Sequence, residues 1–290
     1  TLADLRRVKL KETRIAIVGL GLMGASLAQA LRGQCAALFG VDADLETVEK
    51  AADLGLVQAA SVKMEEIVPQ ADLVIFAAPV RATLGLLRRL SDIPNARAIV
   101  LDLCSTKNEI VAAMDALPAN FDPIGGHPMC GKETSGLENA DPAIYREAPF
   151  AIVPLLARTS PAALALTGEL VQAIGARPLL LDAATHDAWT AATSHFPYLL
   201  TAALVLSTPP DAAPLIGSGF RSTARIAGSS VPMMMDILTT NRANVLAAIA
   251  RMKEALNGLE AALRESESEQ ELAEALSKAR ERYQALVGKK

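Results

Sequence analysis

Arg14-Ile-Ala-Ile-Val18 runs straight into Gly19-Leu-Gly-Leu-Met-Gly24, and residues 25–31 then read as a helix. A short β-branched run, glycines spaced G-x-G-x-x-G and a following helix form a strand–turn–helix unit that cradles a pyrophosphate. Gly19 permits the tight turn, Gly21 lets a phosphate reach the backbone, and Gly24 lets helix pack on strand. The helix N-terminus then offers free N–H groups to the phosphates, with Leu22, Met23 and Gly24 of the turn among the expected cofactor contacts. Taken alone, the motif could also be an ordinary glycine-rich turn.

It is not alone. Residues 36–42 read as a second strand ending in Asp42, 18 residues past Gly24. That suits a carboxylate accepting hydrogen bonds from the adenosine ribose, which would repel a 2′-phosphate and favour NAD over NADP. Asp42 could instead cap a helix over residues 45–54. Two further apolar runs, 72–79 and 97–103, lack polar alternation, as strands of a parallel sheet covered on both faces do. Helices are expected between them, over residues 80–90 and 107–116. Open α/β sheets bind ligands beyond the carboxyl ends of their strands. This puts Ala78, Pro79, Val80 and Ser105 near a nicotinamide. Ser105 could also cap the helix that starts near Lys107. A strand over residues 149–154, a helix over 161–174 and a last strand over 177–181 complete a Rossmann-type α/β domain, residues 1–182.

Residues 183–290 read as all-helical. Within them His186 and His195 stand nine residues apart, on opposite sides of an unbroken helix, and so should not act as a pair. His186 reads as structural. Pro197 kinks that helix or starts a new one. Prolines 209, 210 and 214 mark a loop. Gly217 to Gly228 is short, glycine-rich and carries Arg221 and Arg225. The charged stretch 265–290 reads as a solvated packing helix. Ala/Leu-rich helices offer more apolar face than one small domain needs, which suggests a homodimer through the helical half.

Composition excludes several classes. Apolar residues make up 51% of 290 and the net charge is −4, so nothing argues for nucleic acid or an anionic membrane. No apolar run is long enough to span a bilayer. The three cysteines form no C-x-x-C pair and suggest neither a disulfide framework nor a metal site. With no signal peptide opening the chain, a cytoplasmic location is expected.

The central stretch is Gly125-Gly-His-Pro-Met-Cys-Gly131, which holds one of only three histidines. Together with Gly19 to Gly24, Ala78-Pro79-Val80, Asp102-x-x-Ser105-x-Lys107, Ser194-His-x-Pro-x-Leu199 and Gly219-Phe-Arg-x-Thr-x-Arg225-Ile-Ala227, it resembles the prephenate/arogenate dehydrogenase family of tyrosine biosynthesis. The resemblance runs from residue 14 to about 240. It implies a Rossmann-type domain followed by a helical dimerisation domain. It implies that His127 contacts the substrate's ring hydroxyl, that Ser105 orients that hydroxyl and the nicotinamide, and that His195 and Arg225 bind substrate, with Arg221 beside them. Ser222 stands where many relatives carry an acid, and Met233 to Met235 where some carry an aromatic. Both leave the details of substrate contact and tyrosine feedback open. Within these 290 residues the resemblance implies a monofunctional enzyme.

The chemistry suits these residue types. Hydride leaves the carbinol carbon of prephenate for NAD, the hydroxyl becomes a carbonyl, CO₂ departs and the ring becomes aromatic. As hydride leaves, the hydroxyl proton grows acidic, and a neutral imidazole such as His127 can accept it. A guanidinium such as Arg225 grips a carboxylate by two parallel hydrogen bonds. Three rivals stay open: arogenate in place of prephenate, a β-hydroxyacid dehydrogenase, and a non-catalytic NAD-binding regulator. Lys253 and Asn257 have the second rival's spacing, but fall too late in the chain.

Overall fold

The computed structural model describes residues 9–132, 134–264 and 269–288. Eight strands form one sheet: β1 (Arg14–Val18), β2 (Ala37–Val41), β3 (Ala59–Ser61), β4 (Leu73–Phe76), β5 (Ala98–Asp102), β6 (Phe121–Pro128), β7 (Pro149–Pro154) and β8 (Arg177–Leu180). Their order is β3-β2-β1-β4-β5-β6-β7-β8. Every pair is parallel except β6 with β7. Among its described residues, the chain between β6 and β7 holds only short 3-10 turns and no crossover helix, so β7 can return antiparallel.

The α/β architecture expected from the sequence is borne out, with two strands that the sequence reading lacked. β3 is three residues long. β6 contains Pro123, Gly125, Gly126, His127 and Pro128, which are poor strand formers. Its glycines have a packing reason. A Cβ on Gly126 would stand 2.6 Å from the Asp102 carbonyl oxygen and 3.0 Å from the Phe150 ring.

Alternation along the strands feeds two cores. Ile15, Ile17, Leu73, Ile75, Ile99 and Leu101 face one side of the sheet. Ala16, Val18, Val74, Phe76 and Val100 face the other. This is the two-sided burial that apolar runs without polar alternation predict. The helices are α1 (Leu22–Leu31), α2 (Leu45–Asp53), α3 (Met64–Ile67), α4 (Val80–Leu90), α5 (Asn108–Asp115) and α6 (Pro161–Ala173). They continue with α7 (Ala183–Thr190), α8 (Phe196–Ser207), α9 (Ser218–Ala224), α10 (Val231–Thr240), α11 (Arg242–Arg264) and α12 (Glu269–Val287).

By contact the chain divides after Arg242, later than the compositional boundary at 182. The reason is that α7 packs on α5 and α10 packs on α4. The second unit, residues 243–290, consists of the bulk of α11 and of α12, whose described residues are all at least partly exposed. Among the described residues no helix is long and apolar enough to cross a membrane.

Candidate active site

The strand order reverses between β1 and β4, and the glycine loop lies at that switch point. Gly19 has φ +101°, and a Cβ there would meet the Ala77 carbonyl oxygen at 2.8 Å. A Cβ on Gly24 would overlap the Gly19 carbonyl, whereas one on Gly21 would meet nothing within 4 Å. Two glycines are therefore required by packing, and the third leaves open space where a pyrophosphate would approach. Gly21 is the N-cap of α1 and offers no side-chain cap, so the N–H groups of the first turn face outward. Tyr145 donates its hydroxyl to the Met23 carbonyl at 2.7 Å and steadies that turn.

Asp42 sits just past β2, half-buried. Its carboxylate accepts the Leu20 N–H at 2.7 Å and the Asp44 N–H at 3.0 Å. Capping of α2 falls to Asp44, which accepts the Thr47 N–H at 3.2 Å, so the alternative role for Asp42 is filled by another residue. Each carboxylate oxygen keeps a lone pair for a ribose hydroxyl. Ala78 and Pro79 lie in the loop after β4. The Val80 side chain is buried in the core, so its contribution there is limited to backbone.

His127 lies near the carboxyl end of β6, opposite Ala151 of β7. The loop beside it is bolted down by Asp102, the last residue of β5. Asp102 accepts the Gly126 N–H at 3.1 Å, the Cys104 N–H at 2.9 Å and an ion pair from Lys107. Both charged side chains are fully buried. Ser105 is half-buried in this loop. It does not cap α5: that helix is capped from a distance by Asp187 of α7, which accepts the Lys107 N–H at 2.7 Å and the Asn108 N–H at 2.9 Å. A carboxylate at a helix N-terminus is favourably placed, and this contact docks α7.

The neighbouring His186 then completes a chain. Its Nδ1 lies 2.8 Å from an Asp187 carboxylate oxygen, and its Nε2 lies 2.8 Å from His127 Nδ1. The His127 and His186 rings meet edge to face at 5.1 Å. His195 also enters this polar region. Its Nδ1 is 3.1 Å from the Asn241 amide nitrogen, which lies 2.7 Å from the Asp187 carbonyl oxygen. His195 Nε2 is buried and has no hydrogen-bond partner among the described residues.

The expectation that His186 and His195 belong to opposite faces rested on an unbroken α-helix. The helix is broken: Ala191–His195 is a π turn between α7 and α8. Pro197 supplies a cause, since its ring clashes with the carbonyl four residues back in an α-helix and it has no N–H to give. Widening the turn relieves the clash. It lowers the rotation per residue and carries His195 round toward the network on Asp187.

Burial favours the neutral forms of His127 and His195. Burial, then repulsion from His186, Lys107 and His195, holds His127 well below its ordinary 6.5. Burial lowers His195 to about 4, partly offset by Asp187. Burial works to raise the Asp187 carboxyl, but hydrogen bonds from His186, Asn108 and Lys107 outweigh it and hold the group below its usual range. Among the described residues no group of His, Cys, Asp and Glu is arranged to hold a metal ion.

Known proteins match both halves of this chain. Residues 27–180 match the nucleotide-binding domain of prephenate dehydrogenase, and residues 182–278 match its dimerization domain. The chain belongs to the prephenate dehydrogenase family. The prephenate dehydrogenase of Bacillus subtilis (strain 168) is 32% identical over 249 residues, 82% of this chain and 66% of that protein. The chain spans about two thirds of the length of such curated relatives, 66% and 69% for two of them. Among solved structures, prephenate dehydrogenase from Aquifex aeolicus in complex with hydroxyphenyl propionate and NAD+ is 29% identical. It superposes with a TM-score of 0.86 over 96% of this chain and 100% of that one. Synechocystis arogenate dehydrogenase, also 29% identical, gives 0.81 over 94% and 100%.

In this member of the prephenate dehydrogenase family, the structure gathers His127, His186, Asp187, His195 and Asn241 into one network, with Ser105 in the loop between β5 and α5. Arg221 and Arg225 are exposed, on α9 and on the turn Arg225–Gly228 that packs against α8. Sequence reasoning missed Asp187 and Asn241 and set His186 aside. The His186-Asp187 pair offered a signal, an imidazole beside an acid, but its partners at 107, 108 and 127 are brought in only by the fold. Asn241 offered none.

Proposed function

We propose that this chain is an NAD-dependent prephenate dehydrogenase that converts prephenate to 4-hydroxyphenylpyruvate with loss of CO₂ in tyrosine biosynthesis. The observation that carries the reading is His127: a neutral imidazole at the carboxyl end of β6, beyond the edge of a dinucleotide loop, in a chain of the prephenate dehydrogenase family.

The residues fit the cofactor. Gly19, Gly21, Leu22, Met23 and Gly24 form the pyrophosphate cradle, Asp42 takes the ribose, and Ala78, Pro79 and the Val80 backbone border the nicotinamide. NAD, when bound, accepts the hydride. His127 accepts the hydrogen bond of the ring hydroxyl as that proton grows acidic, which only a neutral ring can do. Ser105 orients the same hydroxyl. His195 contributes a buried hydrogen-bonding nitrogen to the substrate, and Arg225, with Arg221 nearby, meets a carboxylate from the exposed side.

We place the domain boundary at 182, with residues 1–182 binding NAD and 183–290 forming a helical substrate and dimerisation domain. The two family matches adjoin at that point. A cytoplasmic homodimer is the working state, without nucleic acid or membrane as partner.

NADH formation by the purified protein, with NAD or NADP and with prephenate or arogenate, tests this. Turnover of prephenate with NAD is expected. An NADP preference would reject the role of Asp42. Turnover of arogenate alone would keep the chemistry and change the substrate, and no reduction with either would sink the proposal.

A further inference from the structure

We infer that Asp187 fixes the tautomers of both His127 and His195, in opposite senses, through His186 and Asn241 as positioning residues. The inference deepens the reading of His127 as the hydroxyl's acceptor and rests on it.

The first arm runs through the Asp187 side chain. A carboxylate can only accept, and this one already takes the N–H groups of Lys107 and Asn108. Its contact with His186 Nδ1 at 2.8 Å therefore puts the proton on that nitrogen. In a neutral His186 the other nitrogen, Nε2, is then a lone pair. It faces His127 Nδ1 at 2.8 Å. Two lone pairs at that distance repel, so His127 carries its proton on Nδ1 and donates it. What remains of His127 is Nε2 as an acceptor, the form the reaction needs.

The second arm runs through the Asp187 main chain. The Asn241 amide nitrogen lies 2.7 Å from the Asp187 carbonyl, which is a pure acceptor. That contact sets the amide's orientation, because the flipped amide would bring two oxygens together. The second N–H of the same nitrogen reaches His195 Nδ1 at 3.1 Å, so Nδ1 accepts. The His195 proton then sits on Nε2, the nitrogen that is buried without a partner among the described residues. A buried donor left unpaired costs free energy, and an acceptor oxygen of bound substrate repays it. One histidine is thus held as an acceptor and the other as a donor, and a single residue between them decides which is which.

Nitrogen-15 NMR of the histidine-labelled full chain, without substrate, tests this directly, since only three histidines contribute. Above pH 6.5 the expected spectrum has His127 as the Nδ1–H tautomer and His195 as Nε2–H. A His127 Nε2–H tautomer, or an imidazolium at His186, would overturn the assignment whether or not any variant folds. His186→Phe should move His127 toward Nε2–H and lower kcat by roughly 10²-fold or more. His186→Gln, which keeps an acceptor, should restore much of it. Asn241→Leu should raise the KM for prephenate about 10- to 100-fold with a smaller change in kcat. Unchanged tautomers in both variants would reject the two arms. If the wild-type tautomers are as assigned and no prephenate is oxidised, the functional reading fails while the hydrogen-bond assignment stands.

Discussion

His127 is nearly enclosed, 8% exposed, and every charged or titratable group that acts on it, His186, Lys107 and His195, disfavours its protonated form. Two outcomes follow. His127→Asn keeps a polar amide near the Nδ1 position but is shorter and loses the Nε2 acceptor, so kcat should fall by roughly 10²–10⁴, the usual contribution of a positioned acid–base group. NAD affinity should be retained, because the cofactor's residues lie on other loops; an unchanged kcat would reject the role. The pH profile follows from the direction of the shift. Protonation destroys the acceptor, and burial moves that event well below 6.5. The acid limb of kcat/KM should therefore lie clearly below pH 6.5, with a flat region above it. A limb centred at 6.5 would mean that the ring is solvated in the working enzyme.

Among the elements, the glycine loop separates two demands that one motif combines. A Cβ on Gly24 would overlap the Gly19 carbonyl, so Gly24→Ala should force α1 away from β1 and cost about 1–3 kcal/mol. Gly21 has open space, so Gly21→Ala should keep the melting temperature but weaken NAD binding. Thermal melts and nucleotide titrations on the two variants check this, and equal losses of stability would refute it. This loop was legible in the sequence because strand, turn and helix are contiguous there. The same holds for β4 and β5, whose apolar runs announce burial on both faces. β6 was not legible: Gly126 is explained by the approach of Phe150 and the Asp102 carbonyl, and Gly125 by that of Val153, which no local pattern reveals. The π turn at Ala191–His195 was hidden too. A helical wheel assumes a constant angle per residue, and Pro197 breaks that assumption one turn before it is reached.

At the scale of the whole molecule, buried neutral histidines tie folding to pH. In the unfolded chain His195 takes its proton near 6.5, but in the fold only near about 4. Between those values the unfolded state binds more protons, so stability is intact above 6.5 and falls as pH is lowered toward 4. Denaturation midpoints at the two ends of that window check it, and His195→Gln should flatten the slope. The proposed homodimer can be tested at the same scale. Among the described residues of α8 and α10, Leu200, Val205, Leu206, Val231, Met233 and Met235 are exposed, with Leu206 at 87%. Those on α8 lie within one helix of a stretch, residues 182–278, that matches a dimerization domain, and exposed apolar side chains there are candidates for an interface. If the exposed side of α8 pairs two copies, a charge placed on it must be desolvated on assembly and finds no partner. Leu206→Glu should then weaken the dimer by at least tenfold, the loss of about 1.4 kcal/mol. Because residue 206 lies at the far end of α8 from His195, the variant should keep the fold of the monomer. Sedimentation at a series of dilutions measures this, and a wild-type-like dimer in Leu206→Glu would move the interface to another face.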